Sequence, residues 1–243
     1  MSIVISFLQR SWKLGLVLLV LSISLTGCFD IEERVTLNKN GTGNYAIKMD
    51  MSEVGGMIQS FMDSQSEEGE GGQDMFQSMD SSFQAMAAKL RSIEGISNVR
   101  KASENYVFEI SYDFDNVDRI YEAQSALSEE GEAGGLGASS ERQFLLNAKK
   151  RIFSRLDAPI EDVLGDDFSL GEEDDESGAA MAEMMLKDAS YRTVYSFPGA
   201  IKKYSNQSAK LSADGKTMTL ELSFLDLMKG NANIGNEIQY KKK

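Results

Sequence analysis

Residues 105–114, Asn-Tyr-Val-Phe-Glu-Ile-Ser-Tyr-Asp-Phe, decide the fold class. Tyr106, Phe108, Ile110, Tyr112 and Phe114 alternate with smaller or charged residues without a break. A period of two is the mark of a strand with one buried face and one wet face, as in antiparallel sheets. Residues 97–102 supply a partner strand, and the spacing predicts a hairpin turning at Ser103-Glu104.

The same signals recur on both sides. Residues 31–38 and 44–50 alternate around Asn38-Lys39-Asn40-Gly41-Thr42-Gly43, with Asn-Gly at the turn. Near the other end, 207–212 and 216–224 flank Asp214-Gly215, and Met218, Leu220, Leu222 and Phe224 alternate. Tyr191–Phe197 is β-branched and aromatic and stops at Pro198-Gly199, and Ile238 and Tyr240 predict a last short strand. Residues 143–147 and 150–156 read as two strands around Asn147-Ala148. The hairpins at the two ends can belong to one sheet.

Helical spacing separates these strands. Phe76, Met79, Phe83, Met86, Leu90 and Ile93 recur at steps of three and four, with Gly95 expected to close the helix. This Met/Phe stripe reads as a core face; the alternative is a partner-binding groove. Ser52 is expected to cap a short helix whose Val54, Ile58 and Phe61 face inward. Asp115 is expected to cap another through residue 127, with Val117, Ile120, Tyr121 and Leu127 on one side. Met181, Met184, Met185 and Leu186 suggest one more. The expected fold is therefore α+β: an antiparallel sheet built from hairpins, with amphipathic helices packed on one face and few patterns that suggest parallel crossovers. A single domain over 28–243 is expected.

Charge is concentrated. The chain carries 25 basic and 38 acidic residues, a net charge of −13. Segments 63–74, 128–142 and 165–178 hold 5, 4 and 7 of the acids, with Arg142 the only base among them. These Gly/Ser/acid-rich stretches bury too little apolar surface to offset the entropy of ordering, and read as flexible loops on a neutral body. Glu172-Glu173-Asp174-Asp175-Glu176 lacks the alternate spacing and glycine of a calcium loop, so solvation is the expected role. Lys241-Lys242-Lys243 reads as a solvated tail, or as a contact for anionic headgroups. The negative charge argues against nucleic acid as a partner.

The chain has no histidine and one cysteine, Cys28. Upstream of it, Arg10 and Lys13 precede an uncharged run over 14–27 that is short for a membrane span and suited to a signal peptide. Leu25-Thr26-Gly27-Cys28 resembles the lipobox of bacterial lipoproteins. That resemblance implies removal of 1–27 as a signal peptide by cleavage between Gly27 and Cys28. It also implies lipidation of Cys28, with an S-diacylglycerol and an N-acyl group such as palmitate, and anchorage in the bilayer. No thiol would then remain for a disulfide, a metal or nucleophilic catalysis. In lipoprotein sorting of the enterobacterial type, an aspartate directly after the cysteine retains a protein at the inner membrane. Phe29 stands there, which implies the outer membrane where there is one. The N-x-S/T sequences at Asn40 and Asn206 carry no glycosylation inference in such a protein.

The layout of Cys28 to Asp50, then Phe197-Pro198-Gly199, Asn206 and Asp214-Gly215-Lys216-Thr217, resembles uncharacterised α+β envelope lipoproteins. That class brings no activity. Without histidine or free cysteine, catalysis would rest on carboxylates, lysine, tyrosine or serine. The expected function is thus a non-enzymatic binding, scaffold or assembly module of the cell envelope, with no cofactor and no catalytic or metal-ligating residues. The alternatives are a carboxylate-based envelope hydrolase and a carrier of a hydrophobic ligand. Only a few residues separate Cys28 from the first strand. The tether reaches on the order of 10–15 Å, so the body is expected to sit against the membrane.

Overall fold

The computed structural model describes residues 29–56, 59, 71–128, 139–160 and 186–242. The signal segment 1–27, Cys28, most of each acidic segment and Met181, Met184 and Met185 lie outside the described residues.

The first hairpin joins β1 (Asp30–Leu37) to β2 (Gly43–Asp50), in register from Asp30 opposite Asp50 to Leu37 opposite Gly43. Gly43 is required by its neighbours: a Cβ there would lie 2.1 Å from the Thr36 carbonyl and 2.5 Å from the Phe114 ring. Of the helix expected after Asp50, Gly55, Gly56 and Gln59 are helical, and 57–58 and 60–70 lie outside the described residues. Ahead of it, the Asp50 carboxylate accepts from the Ser52 amide (3.2 Å) and hydroxyl (2.6 Å), closing a turn over 50–52. Val54 is buried as expected; Ile58 and Phe61 lie outside the described residues.

Helix α1 (Gly71–Leu90) begins inside the first acidic segment, so the end of that segment is helical and not a loop. Phe83, Met86 and Leu90 are buried, and Phe76 and Met79 pack partly against the same core. The stripe is a core face. Ile93 and Gly95 fall beyond the helix. Gly95 (φ +81°) lies in the turn that enters β3 (Ile96–Glu104), not at the helix end. The hairpin from β3 to β4 (Val107–Phe114) turns at Asn105-Tyr106, two residues later than the spacing predicts. Both residues have positive φ, 51° and 61°, the geometry of a two-residue type I′ turn. Tyr106 therefore leaves the strand ladder. Its ring packs on Phe76 (5.2 Å) and over Gly55, where a Cβ would meet it at 2.2 Å.

In helix α2 (Asp118–Ser128), Asn116 and not Asp115 accepts from the Asp118 amide (2.9 Å), while Asp115 pairs with Arg119 (3.1 Å). Ile120, Ala123, Gln124 and Leu127 face inward; Tyr121 instead lies beneath the Arg142 guanidinium, 4.9 Å from its ring centre. The next strands are β5 (Phe144–Asn147), β6 (Ile152–Arg155), β7 (Ser190–Ser196) and β8 (Ile201–Tyr204). They are followed by β9 (Lys210–Leu211), β10 (Thr217–Ser223), helix α3 (Phe224–Met228) and β11 (Asn236–Tyr240). Neither β8 nor α3 is expected from the sequence.

The strands form two sheets. The larger runs β3-β4-β2-β1-β7-β10-β9 and unites the two terminal hairpins; the smaller runs β5-β6-β11-β8. All pairings are antiparallel except β1 with β7, which is parallel from Asp30–Ser190 to Thr36–Ser196. Parallel strands ordinarily advertise themselves as continuous apolar runs because both their faces are covered. Here β1 and β7 alternate, since one face of the large sheet is polar, and the parallel pair leaves no trace in the pattern. The inner face of the large sheet is covered by two kinds of layer. The α1 helix lies over β3 and β4, with Phe83 5.3 Å from Phe108. The small sheet lies over the rest, with Phe153 5.3 Å from Tyr195 and Phe144 6.0 Å from Tyr45. The helices do lie on one face of the sheet, and a second sheet shares that face with them.

Candidate functional site

Three places combine position with chemistry. The first is the start of the described chain. Phe29 is only 3% exposed, its ring meeting Phe224 edge-on at 5.4 Å. The Phe29 carbonyl accepts from the Ser190 amide (3.0 Å), and the Ala189 carbonyl accepts from the Phe224 amide (3.0 Å). Ser223 caps the short α3 by accepting from the Asp226 amide (3.3 Å). Cys28 itself is outside the described residues, but its neighbour is already sewn into the body. The described residues begin at Phe29, and β1 starts at Asp30, closer to Cys28 than the few-residue tether expected.

The second is a charge pair between the two sheets. Glu33 shares the inward face of β1 with Ile31, Val35 and Leu37; Arg155 shares that of β6 with Phe153. Both side chains are 0% exposed, with Arg155 Nε 3.4 Å from Glu33 Oε1. Arg155 Nη1 donates to the Leu156 carbonyl (2.7 Å), and the guanidinium lies 5.0 Å from the Phe144 ring centre. The Tyr191 hydroxyl donates to Glu33 Oε2 (3.2 Å) and the Tyr195 hydroxyl to Oε1. Burial, and then the Glu33 charge, push the phenols of Tyr45, Tyr191 and Tyr195 well above their ordinary pKa. Burial, the largest single influence, would lower the Arg155 pKa; Glu33 together with Tyr195, Tyr191 and Tyr45 more than offsets it, and the net shift is upward. Both side chains are closed to solvent, so the arrangement joins the two sheets and offers no approach to a substrate. Sequence reasoning missed it. The available signal is the parity of Glu33 and Arg155, each a charge in an otherwise apolar frame.

The third is a cleft of about 530 Å³ at the ends of β2, β3 and β4, bordered by Asn44, Asp113 and Asp115. Hydrogen bonds from Asn98 (2.7 Å) and Asn44 (2.9 Å) hold the Asp113 carboxyl below its usual range. A carboxylate hydrolase of the expected kind needs an acid raised towards neutrality; Asp113 is shifted the other way. Among the described residues no three acidic or cysteine side chains converge as a metal site would require. The acidic run 172–176 lies outside them. Among the described residues, aromatic rings meet between the layers, Phe144 with Phe153 at 5.9 Å and Phe153 with Tyr195 at 5.3 Å.

The molecule is thus an α+β fold of two packed sheets, with its first strand beginning two residues after Cys28. No protein-family model matches the chain, and no curated protein matches it either. Among solved structures, the folded domain of the Mycobacterium tuberculosis protein LppM, determined by NMR, is similar to it. That likeness covers 89% of this chain and 92% of the LppM domain, with 9% identity and a TM-score of 0.42.

Proposed function

We propose that the chain is a lipid-anchored envelope protein whose folded body is held directly against the bilayer and acts there as a non-enzymatic binding or scaffold module. The burial of Phe29 carries this reading. With Phe29 bound to Ser190 and Phe224, the acylated Cys28 has almost no slack, and the lipid is attached to a rigid surface rather than to a stalk. Two or more acyl chains bind a membrane stably where one does not, so such an attachment is permanent. Phe29, in the place of a retention aspartate, directs the protein to the outer membrane in a cell that has one.

Metabolic labelling with an alkyne fatty acid, together with mass spectrometry of the mature N-terminus, tests the anchor. Label on Cys28 and its loss in Cys28→Ser are expected; a mature chain that keeps residues 1–27 and takes no label overturns it. Fluorescence energy transfer from Asp226 or Lys229, each replaced by a labelled cysteine, to a membrane dye tests the placement. A distance within about 15 Å is expected from a tether of at most a few residues; one near 50 Å overturns it.

A further inference from the structure

At the opposite end of β1 from Phe29, a smaller cleft of about 250 Å³ opens between the β1–β2 turn, the β5–β6 turn and the end of β11. Lys39, Arg151, Lys241 and Lys242 line it, with Leu146 and Tyr240 as apolar walls, and no acid is among the lining residues. We propose that this cleft binds a phosphate group.

The cations are placed by the fold. The Tyr240 amide donates to the Arg151 carbonyl (3.1 Å) and the Lys241 amide to the Ala200 carbonyl (2.8 Å), which fixes the end of β11 against the β5–β6 turn. Arg151 holds a left-handed backbone, φ 54°, which is rare for a residue with a Cβ. Its Nε is buried and has no hydrogen-bond partner. A buried donor left unpaired carries a desolvation cost, which an incoming oxyanion would relieve. None of the four cations has a carboxylate partner among the described residues, although the chain is at −13. By contrast Arg34, Lys48, Lys101, Arg119, Arg155 and Arg192 are all paired. Asp214, in the neighbouring turn, is engaged by the Ser212 hydroxyl (2.7 Å) and the Lys216 amide (3.1 Å).

Arginine offers a planar fork that matches two phosphate oxygens, lysines add point charges, and apolar walls reduce screening by water. The cleft has room for a phosphate and a few attached atoms. Its distance from Phe29, about 25 Å along the eight residues of β1, means that a headgroup of the anchoring leaflet reaches it only when the domain lies flat. A soluble phosphate ester reaches it in any orientation.

Calorimetric titration of the full chain in neutral detergent with inorganic phosphate, and separately with micelles containing phosphatidylglycerol, tests the proposal. Saturable binding is expected, weakened tenfold or more in the triple variant Lys39→Gln/Arg151→Gln/Lys241→Gln. Lys187→Gln/Lys210→Gln, at the other end of the molecule, removes charge without touching the cleft and is expected to bind as the parent does. Circular dichroism melting of each variant verifies folding; if the triple variant is unfolded, Lys241→Gln/Lys242→Gln replaces it. Tighter binding of the lipid micelles identifies a headgroup as the source, and equal or tighter binding of free phosphate identifies a soluble one. Absence of saturable binding to either probe, or equal loss in both sets of variants, overturns the proposal. The inference does not use the anchor, and failure of either test leaves the other standing.

Discussion

Glu32 and Glu33 are neighbours on β1 that point to opposite faces of the large sheet, and their surroundings differ in kind. On the polar face the register sets Glu109, Lys48, Glu32, Arg192 and Glu221 side by side across β4, β2, β1, β7 and β10, a row of alternating sign. Arg192 reaches Glu32 at 3.1 Å, and Arg34 bridges Glu32 (3.2 Å) and Glu109 (2.9 Å). Each member is at least partly exposed, and Glu32 is shared by two cations, Arg34 and Arg192. On the inner face Glu33 has, among the described residues, a single cation, Arg155, and two tyrosine hydroxyls, all closed to solvent. The row is redundant and screened; the pair is unique and unscreened. An ion pair at a wet surface is worth about 0–1 kcal/mol, while removing one member of a buried pair costs about 3–5 kcal/mol because the other charge is stranded.

The largest effect is expected from Arg155→Met, which leaves Glu33 buried and unpaired: about 3–5 kcal/mol lost in urea denaturation. The double variant Glu33→Met/Arg155→Met should recover most of that loss, since an apolar pair of similar volume is often as stable as a buried ion pair. A double variant as unstable as the single one would show that the charges do more than neutralise each other. Next comes Tyr195→Phe, which removes one donor from the buried carboxylate and is expected to cost about 1.5–3 kcal/mol by thermal melting.

Alkaline pH probes the same cluster without mutation. The phenol pKa values of Tyr45, Tyr112, Tyr191 and Tyr195 are raised in the folded state. A raised folded-state value contributes stability below the unfolded value, near 10, and that contribution is lost as pH rises. Stability should therefore fall above about pH 10, and tyrosinate absorbance from these four should appear together with unfolding. Gradual ionisation in the native state would contradict their burial. The smallest effect is expected from Glu32→Gln on the polar face: at most about 1 kcal/mol, vanishing in 1 M salt.

The alternation of Tyr112 and its neighbours, the Asn-Gly and Asp-Gly turns and the spacing of Phe83, Met86 and Leu90 place most strands and the long helix, because local geometry and burial impose those periods directly. Turn positions were less legible. Asn105-Tyr106 took the hairpin from Ser103-Glu104 because a type I′ turn fits the twist of its strands, and Asn105 tolerates positive φ. Strand β8 is short and carries Lys202-Lys203 in its centre, so it exists through its partner β11 rather than through its own pattern. The division into two sheets was not legible at all, since a strand's period does not say which sheet it joins. The candidate sites were hidden for the same reason. Glu33 and Arg155 lie 122 residues apart, and the basic cleft draws its side chains from three separate turns and strand ends.

The parallel pairing of β1 with β7 sets a schedule for the growing chain. Synthesis delivers the N-terminus first. The strands β1, β2, β3 and β4 can assemble once about the first half of the chain has emerged. The other edge of β1 must then wait for residues some 160 positions later, as the Asp30–Ser190 contact shows. Until then that edge offers unpaired amides and carbonyls beside Ile31 and Val35, a template for a wrong strand. The polar row on one face and the charge of Glu33 on the other make it a poor one, because any intruding strand that lacks an Arg155 behind it leaves a carboxylate stranded.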